Sequence, residues 1–311
     1  MSQRVSRGFR NAVKRSMRLA LEAGQRFGIN ITPRHFYSEV PDIREMRRTS
    51  GWRRPYALGA IRGAVLDDQL AFVRDCCERY REELHRHQVH EDACARNGEP
   101  GYGPIEAEFL YCFVRRHRPD RVIQVGAGVS TAVILAAADD EGYAPNLTCI
   151  DPFPTRFLKG LADEGRVALI STRAQDVEPA EMTSVGAGDL LFVDSTHTIR
   201  PGSDVCRIIL EVLPRLGAGA WVHFHDIYLP YDYSPELLTT DLFFSRETVL
   251  LQAFLTNNMR FTVRAALSLL HHGRPEALRE ILPGYSPAPF EDGLRVGEGH
   301  FPSALWMSVE P

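Results

Sequence analysis

The chain is most constrained at Gly126-Ala127-Gly128, which joins the apolar run Val122-Ile123-Gln124-Val125 to the helix-forming stretch Ser130 to Ala138. Strand, tight glycine loop and helix start, in that order, make a cradle for a nucleotide-like cofactor. Glycine lets the backbone come close to a ligand, and the first turn of the following helix offers unpaired N–H groups to a carboxylate or phosphate. A dinucleotide fingerprint of the form G-x-G-x-x-G requires a third glycine where this chain has Thr131, which disfavours an NAD(P) oxidoreductase. The next strand-like run, Leu147-Thr148-Cys149-Ile150, ends in Asp151, where an acid can accept both hydroxyls of a ribose.

From Ile105 onward helix and strand patterns alternate, which argues for a parallel sheet with right-handed crossovers. Strands are predicted at Arg121 to Val125, Leu147 to Asp151, Val167 to Ser171, Leu190 to Asp194, Ala220 to Ile227, Arg260 to Ala265 and Ala304 to Val309. Helices are predicted at Ile105 to His117, at Ser203 to Leu216 with Gly217 closing it, and at Arg246 to Asn257 with Ser245 as its cap. Ligands of open α/β sheets bind beyond the carboxyl ends of the strands. That singles out Asp194 and His197 after the fourth strand, and His225 and Asp226 at the end of the fifth.

At these residues the chain resembles the class I S-adenosylmethionine (SAM) methyltransferases, whose first motif admits Ser or Thr in place of the last glycine. The segments Tyr111 to Thr131 (YCFVRRHRPDRVIQVGAGVST), Cys149 to Pro154 (CIDPFP), Asp189 to His197 (DLLFVDSTH) and Glu211 to Pro230 (EVLPRLGAGAWVHFHDIYLP) are similar to a bacterial branch of macrocin O-methyltransferase-like proteins. The resemblance covers residues 100 to 311 well and the first hundred loosely. It implies an α/β fold, a doubly wound, Rossmann-like sheet of seven mostly parallel strands with the last antiparallel. It also implies transfer of the SAM methyl to a small-molecule acceptor, with O-methylation ahead of N-methylation, and a SAM-binding protein without turnover as the rival from another class.

Carried over residue by residue, the resemblance puts Gly126, Gly128 and Ser130 at the methionine part of SAM and Asp151 at the ribose. Asp176 falls where the family holds the adenine amino group, with Gln175 competing for that place. Asp194, also a cofactor contact, and His197 are the catalytic candidates, and Asp194, His225 and Asp226 are the candidate ligands of a divalent metal. Two departures stand out: Gln124 replaces an acid, and His225 replaces the first member of an acidic pair. Magnesium prefers carboxylate and water oxygens, whereas imidazole suits manganese, zinc or iron, so the choice among Mg, Mn and Zn, and a metal-free route, stay open. His197 has its own rationale, since an imidazole with a pKa near ~6.5 takes up a hydroxyl proton at neutral pH. His223 shares a strand face with His225 and reads as packing. The loop Ile227 to Tyr233 offers aromatic walls to the acceptor.

The first hundred residues read as an extension, with the methyltransferase domain over 101–311. Residues 1 to 26 set seven Lys and Arg against Glu22 alone, with Val5, Phe9, Val13, Met17 and Leu21 recurring every fourth position. This basic amphipathic helix could dock on its own domain, on a partner or peripherally on an anionic membrane. Residues 31 to 60, rich in Pro, Arg and aromatics, read as a covering segment. Leu70, Val73, Cys77, Tyr80 and Leu84 have the spacing of a buried helical stripe. His85, His87, His90 and Cys94 do not match a zinc-finger spacing and read as a solvated loop. A net charge of −4 over 311 residues excludes a global nucleic-acid footprint, and no apolar run approaches the roughly 20 residues of a membrane span. Six cysteines without a C-x-x-C pair point to free thiols and the cytoplasm. Homo-oligomerisation stays open.

Overall fold

The computed structural model describes residues 2–86, 88–233, 244–286, 288–290, 293–295 and 301–311, with side chains described except at 2–8, 10, 288–290 and 293–295. His87 and the side chains of Arg4, Val5, Arg7 and Arg10 therefore lie outside the described residues. The chain divides into two compact units, Met1–Trp52 and Arg53–Pro311. The expected boundary near residue 100 lies inside the second unit. The reason is that residues 57–77 are tied to the sheet: Ile61 bridges Thr256, the Arg62 carbonyl accepts from Val263 N, and the buried Gln69 side chain joins the Gly63 carbonyl to Ala266 N.

The first unit holds the expected basic helix, Ser2–Gln25, which ends in a turn where Ile29 N donates back to the Gly24 carbonyl. A short helix, Ile43–Arg48, follows, its start capped by the Asp42 carboxylate, which accepts from Arg44 N and Glu45 N.

In the second unit the strands are β1 (Arg121–Val125), β2 (Asn146–Ile150), β3 (Ala168–Ile170), β4 (Leu190–Val193), β5 (Trp221–Phe224), β6 (Phe261–Ala266), β7 (Ala288–Phe290), β8 (Gly293–Arg295) and β9 (Leu305–Val309). Seven of them form one sheet in the order β3-β2-β1-β4-β5-β9-β6, and β7 pairs with β8 separately. Strands β1 to β5 run parallel, and β9 pairs antiparallel with both β5 and β6. This is the doubly wound, Rossmann-like sheet with an antiparallel last strand that the sequence predicts. The central strands are mostly apolar because helices cover both faces, with Gln124 on β1 and His223 on β5 as buried polar exceptions. Alternate residues feed two cores: Val122, Phe192 and Trp306 on one side, Ile123, Val193 and Met307 on the other.

Local departures have local causes. The predicted helix Ser203 to Leu216 begins with an α-helical turn, Asp204–Arg207, widens into a π-helical turn at Ile208–Val212 and tightens at Leu213–Arg215. The predicted stripe breaks into Leu66–Cys77, Glu78–Tyr80 and Arg81–Leu84, with Gln69 buried and Leu70 only half-buried. The polar run around His90 forms the helix Val89–Asn97, closed by Gly98 with φ 80°, a conformation that favours glycine. No helix among the described residues is long and apolar enough to cross a membrane.

His117, at the end of the helix Pro104–His117, packs its ring against Phe113 and Trp221 at centroid separations of 4.5 and 4.6 Å. Burial, helped by the neighbouring Arg116 charge, pushes its pKa down to about 4. The unfolded chain takes up that proton near ~6.5 and the folded chain does not, so the stability contributed by the neutral ring is full above that pH and falls away toward pH 4. We expect His117→Phe to flatten the dependence of the melting temperature on pH between 7 and 4. Parallel curves for the two proteins in thermal melts would count against this origin.

Candidate active site at the carboxyl edge of the sheet

The functional positions are set by hydrogen bonding that runs one residue past each strand. Gly126 N donates to the Ile150 carbonyl, Asp151 N to Ile170, Asp194 N to Val125 and His225 N to Val193. The ladder thereby fixes the first residue after β1, β2, β4 and β5, and the three side chains among them project from one edge. Asp226 and His197 turn out of this edge with φ of 55° and 56°, left-handed values that non-glycine residues adopt at a cost and that cluster at functional sites.

The glycine loop is braced from beneath. Gln124 is completely buried; its amide donates to Ser130 Oγ at 2.7 Å, and its carbonyl oxygen accepts from Thr131 Oγ1 at 2.9 Å. Thr131 Oγ1 in turn accepts from Gly128 N. The two departures from the expected motif, Gln124 and Thr131, are thus partners: a neutral amide and a hydroxyl satisfy one another where the chain has neither acid nor third glycine. Asp151 closes the loop from the other side, accepting from Ala127 N and Phe153 N at 3.0 and 2.7 Å.

A cleft of about 380 Å³ opens between these elements, lined among others by Gly126, Asp151, Phe153, Gln175, Asp194 and Thr196. Its size falls in the range of small-molecule and cofactor sites. Asp176 is exposed and paired with Arg173, and Ala174 and Gln175 line the cleft instead. Ser130 is buried and faces Gln124. Phe153, largely exposed beside Asp151, is a cleft residue that the sequence reading missed; its signal was an aromatic two residues after the acid at a strand end.

Beside the cleft, sharing Asp194 with it, four side chains converge. His197 Nε2 lies 3.2 Å from Asp194 Oδ1 and 3.5 Å from Asp226 Oδ2; His225 Nδ1 lies 3.4 and 3.6 Å from Asp194 Oδ1 and Asp226 Oδ1. Burial disfavours charge on both rings, but the surrounding carboxylates outweigh it. His197 is held well above the usual imidazole range by Asp194, Glu247 and Asp226, and His225 is raised to about 9 by Asp226 and Asp194. Burial likewise opposes the charge of Asp194, yet the two imidazoles hold its carboxyl well below the usual range. His223, by contrast, is buried between Phe192 and Trp306 and held neutral by burial and by the His225 charge, as a packing residue should be.

The donor set suits a divalent ion. Asp194, His197 and His225 offer ligand atoms that all lie within 4.8 Å of one another. The buried His225 Nδ1 has its carboxylate neighbours at ion-pair distance but makes no well-aligned hydrogen bond. Separations of 3.2–3.6 Å are close to the edge of about 3.4 Å that bonds of roughly 2.1 Å give in a tetrahedron. The mutually close triad contains His197 where the expected set had Asp226, which is also engaged by the Tyr228 and Ser303 hydroxyls. Glu247 is a further residue the sequence reading missed, and Ser245, expected to cap its helix, instead donates to the His197 carbonyl at 2.8 Å.

Strand order, glycine loop and edge acids define a class I methyltransferase architecture. Residues 123–227 match the family model described as a methyltransferase domain, and the protein is a SAM-dependent methyltransferase. No curated protein matches the chain. Among solved structures it is similar to a Klebsiella pneumoniae protein provisionally assigned as an O-methyltransferase, at 16% identity over 73% of this chain and 90% of the other, with a TM-score of 0.43. It is also similar to the S-adenosylhomocysteine (SAH)-bound methyltransferase PaMTH1 of Podospora anserina, at 13% identity over 90% and 100% of the two chains, TM-score 0.40. A third likeness is to the plantazolicin methyltransferase BamL in complex with a triazolic desmethylPZN analog and SAH, at 13% identity over 78% and 98%, TM-score 0.39. Likenesses this distant do not assign an acceptor.

A methyl group at Gly126 would lie 1.9 Å from the Asp194 carbonyl oxygen, and its φ of 74° is left-handed. The same addition at Gly128 meets only the Asn97 side chain, at 3.3 Å. Gly126→Ala should therefore cost at least about 1–3 kcal/mol from backbone conformation alone and abolish SAH binding, whereas Gly128→Ala should leave the fold intact. Thermal unfolding checks the difference in stability, and equal destabilisation by the two variants would contradict it; calorimetric titration with SAH checks the loss of binding in Gly126→Ala.

Proposed function

We propose that the enzyme transfers the SAM methyl group to a hydroxyl oxygen of a small-molecule acceptor with His197 as general base, as in the macrocin O-methyltransferase-like branch that its sequence resembles. The observation that carries this reading is the position of His197 Nε2, 3.2 Å from an Asp194 that also lines the cleft. Gly126 and Gly128 serve the methionine end of SAM, with Ser130 bracing the loop from behind through Gln124 instead of the direct contact first expected of it, and Asp151 serves the ribose, while Gln175 takes the adenine role first expected of Asp176. Six unpaired cysteines suit the reducing cytoplasm.

In the reaction the acceptor oxygen bonds to the methyl carbon as the carbon–sulfur bond breaks. The sulfonium becomes the neutral thioether of SAH, and the hydroxyl proton passes to His197 Nε2. In-line positioning supplies most of the rate enhancement. A base must be neutral when the hydroxyl arrives, yet Asp194 and Asp226 favour the charged ring. Positive charge brought to those carboxylates by the sulfonium weakens their hold on the ring proton. Asp194 and His225 of the close triad, together with Asp226 at 3.6 Å from His225 Nδ1, would hold a divalent ion that supplies Lewis acidity toward the acceptor oxygen, with His197, the third member of the triad, kept for the proton. The imidazole among those ligands favours manganese or zinc over magnesium.

Screening of hydroxylated acceptors with labelled SAM tests the reading. Once an acceptor is found, His197→Ala should lower turnover by about 10²- to 10⁴-fold with SAH affinity nearly unchanged. Asp194→Ala and a chelator should each abolish turnover, the latter reversibly on adding manganese or zinc. Full activity in chelator with no metal by elemental analysis removes the metal; full activity of His197→Ala removes the base. Label on nitrogen alone would make this an N-methyltransferase, and SAH binding with no acceptor would leave a binding protein.

A further inference from the structure

Glu247 opens the helix Glu247–Leu255 and is completely buried, 0% exposed. A carboxylate taken out of water is costly unless it is hydrogen-bonded and paired. Its partners are both on the loop after β4, some fifty residues away in sequence: Oε2 lies 2.7 Å from His197 Nδ1, and Oε1 accepts from Ser195 Oγ at 3.1 Å. The same segment also holds the backbone of that loop, because Ser245 Oγ donates to the His197 carbonyl. His197 is therefore gripped at ring and backbone from one side while its other nitrogen faces Asp194 and Asp226.

We propose that Glu247 is a positioning residue: it holds the hydrogen of the neutral His197 ring on Nδ1, so that the lone pair is on Nε2, the nitrogen that faces Asp194 and Asp226. The inference deepens the reading of His197 as the base and rests on it. A neutral imidazole carries one N–H, and its place is set by the bond that the other partners offer. Two forces compete here. Asp194 and Asp226 attract a hydrogen to Nε2, at 3.2 and 3.5 Å; Glu247 attracts it to Nδ1, at 2.7 Å and with no solvent to share its charge. The shorter, fully buried contact wins, since charge-assisted hydrogen bonds strengthen as they shorten and desolvate. With Glu247 removed, nothing among the described residues opposes Asp194 and Asp226, and the hydrogen moves to Nε2, where the ring can accept no proton from an acceptor hydroxyl. Glu247 also stabilises the imidazolium that forms when the proton arrives. Carboxylates behind functional imidazoles are worth roughly 10- to 100-fold in activity, a scale known from rings that ligate metals.

The experiment compares the full-length protein with Glu247→Gln, which keeps shape and buried hydrogen bonding but removes the charge, and with Glu247→Leu, which removes both. Long-range nitrogen–proton correlation spectra of the neutral His197 ring are expected to show the hydrogen on Nδ1 in the parent, and to show it shifted toward Nε2 in Glu247→Leu and partly so in Glu247→Gln. Turnover should fall about 10- to 100-fold in Glu247→Gln with KM for SAM and SAH affinity unchanged. The hydrogen on Nε2 in the parent, or the same tautomer in parent and variants, overturns the proposal, as does a variant that loses only thermal stability. If Glu247→Leu does not fold, Glu247→Gln decides alone. The spectra need no acceptor, so His197 with its hydrogen on Nδ1 but without methyl transfer would refute the methylation reading while leaving the role of Glu247 standing.

Discussion

Everything at the site depends on how closely β1 and β4 approach one another just beyond their ends. Gly126 lies so near the Asp194 carbonyl that no side chain fits between them, and Asp194 N closes the gap by donating to Val125. That contact places the glycine loop and the acid of the cluster on either side of one peptide. The cofactor cleft and the charged cluster are then neighbours by construction, sharing Asp194 as a common wall. A class of reaction that joins a bound cofactor to a proton transfer needs that adjacency, because reacting groups a few ångströms out of place lose most of the advantage of being bound.

The cluster itself is an exercise in charge balance. Asp194, Asp226 and Glu247 place three carboxylates within reach of two imidazoles, and burial makes each uncompensated charge costly. The rings respond by holding their protons. A single divalent ion with two neutral rings carries the same charge as two imidazolium ions, so the arrangement is electrostatically prepared for either state. His225, which looks like a departure from an acidic pair when read in the sequence, becomes intelligible in this setting: a further acid there would have left four carboxylates around one ring.

The loop tells a similar story with neutral groups. Gln124 reads as a lost acid, but its amide can donate to Ser130 and accept from Thr131 at once, which a carboxylate cannot do. The pair Gln124 and Thr131 thus replaces one way of stabilising the glycine turn with another. Neither residue is interpretable alone, and together they leave no buried polar atom of the Gln124 side chain unpaired.

The sequence by itself determined the sheet, the loop and the residues at the strand ends, because these follow from short-range rules: apolar runs of strand length, glycines at a turn, and acids or histidines immediately after. Val122 to Val125, Gly126, Asp151, Asp194 and His197 fall at or after strand ends as the pattern places them, while the fifth strand ends at Phe224 and not at Ile227, so that His225 stands just beyond it. What the sequence did not determine are contacts between residues far apart in the chain or rotations within a turn. Asp176 and Gln175 are adjacent, and only the tight turn Ala174–Asp176 shows that Gln175 lines the cleft while Asp176 stands outside it, paired with Arg173. Glu247 opens an ordinary helix some fifty residues after His197, and only the packing of that helix against the loop after β4 made it the partner of the ring. The extent of the second unit was likewise decided by tertiary structure, since Gln69 and Arg62 join their segment to β6 through hydrogen bonds that no local pattern announces. Local pattern fixes which groups stand at the edge of a sheet; long-range packing fixes which of them meet, and in what protonation state.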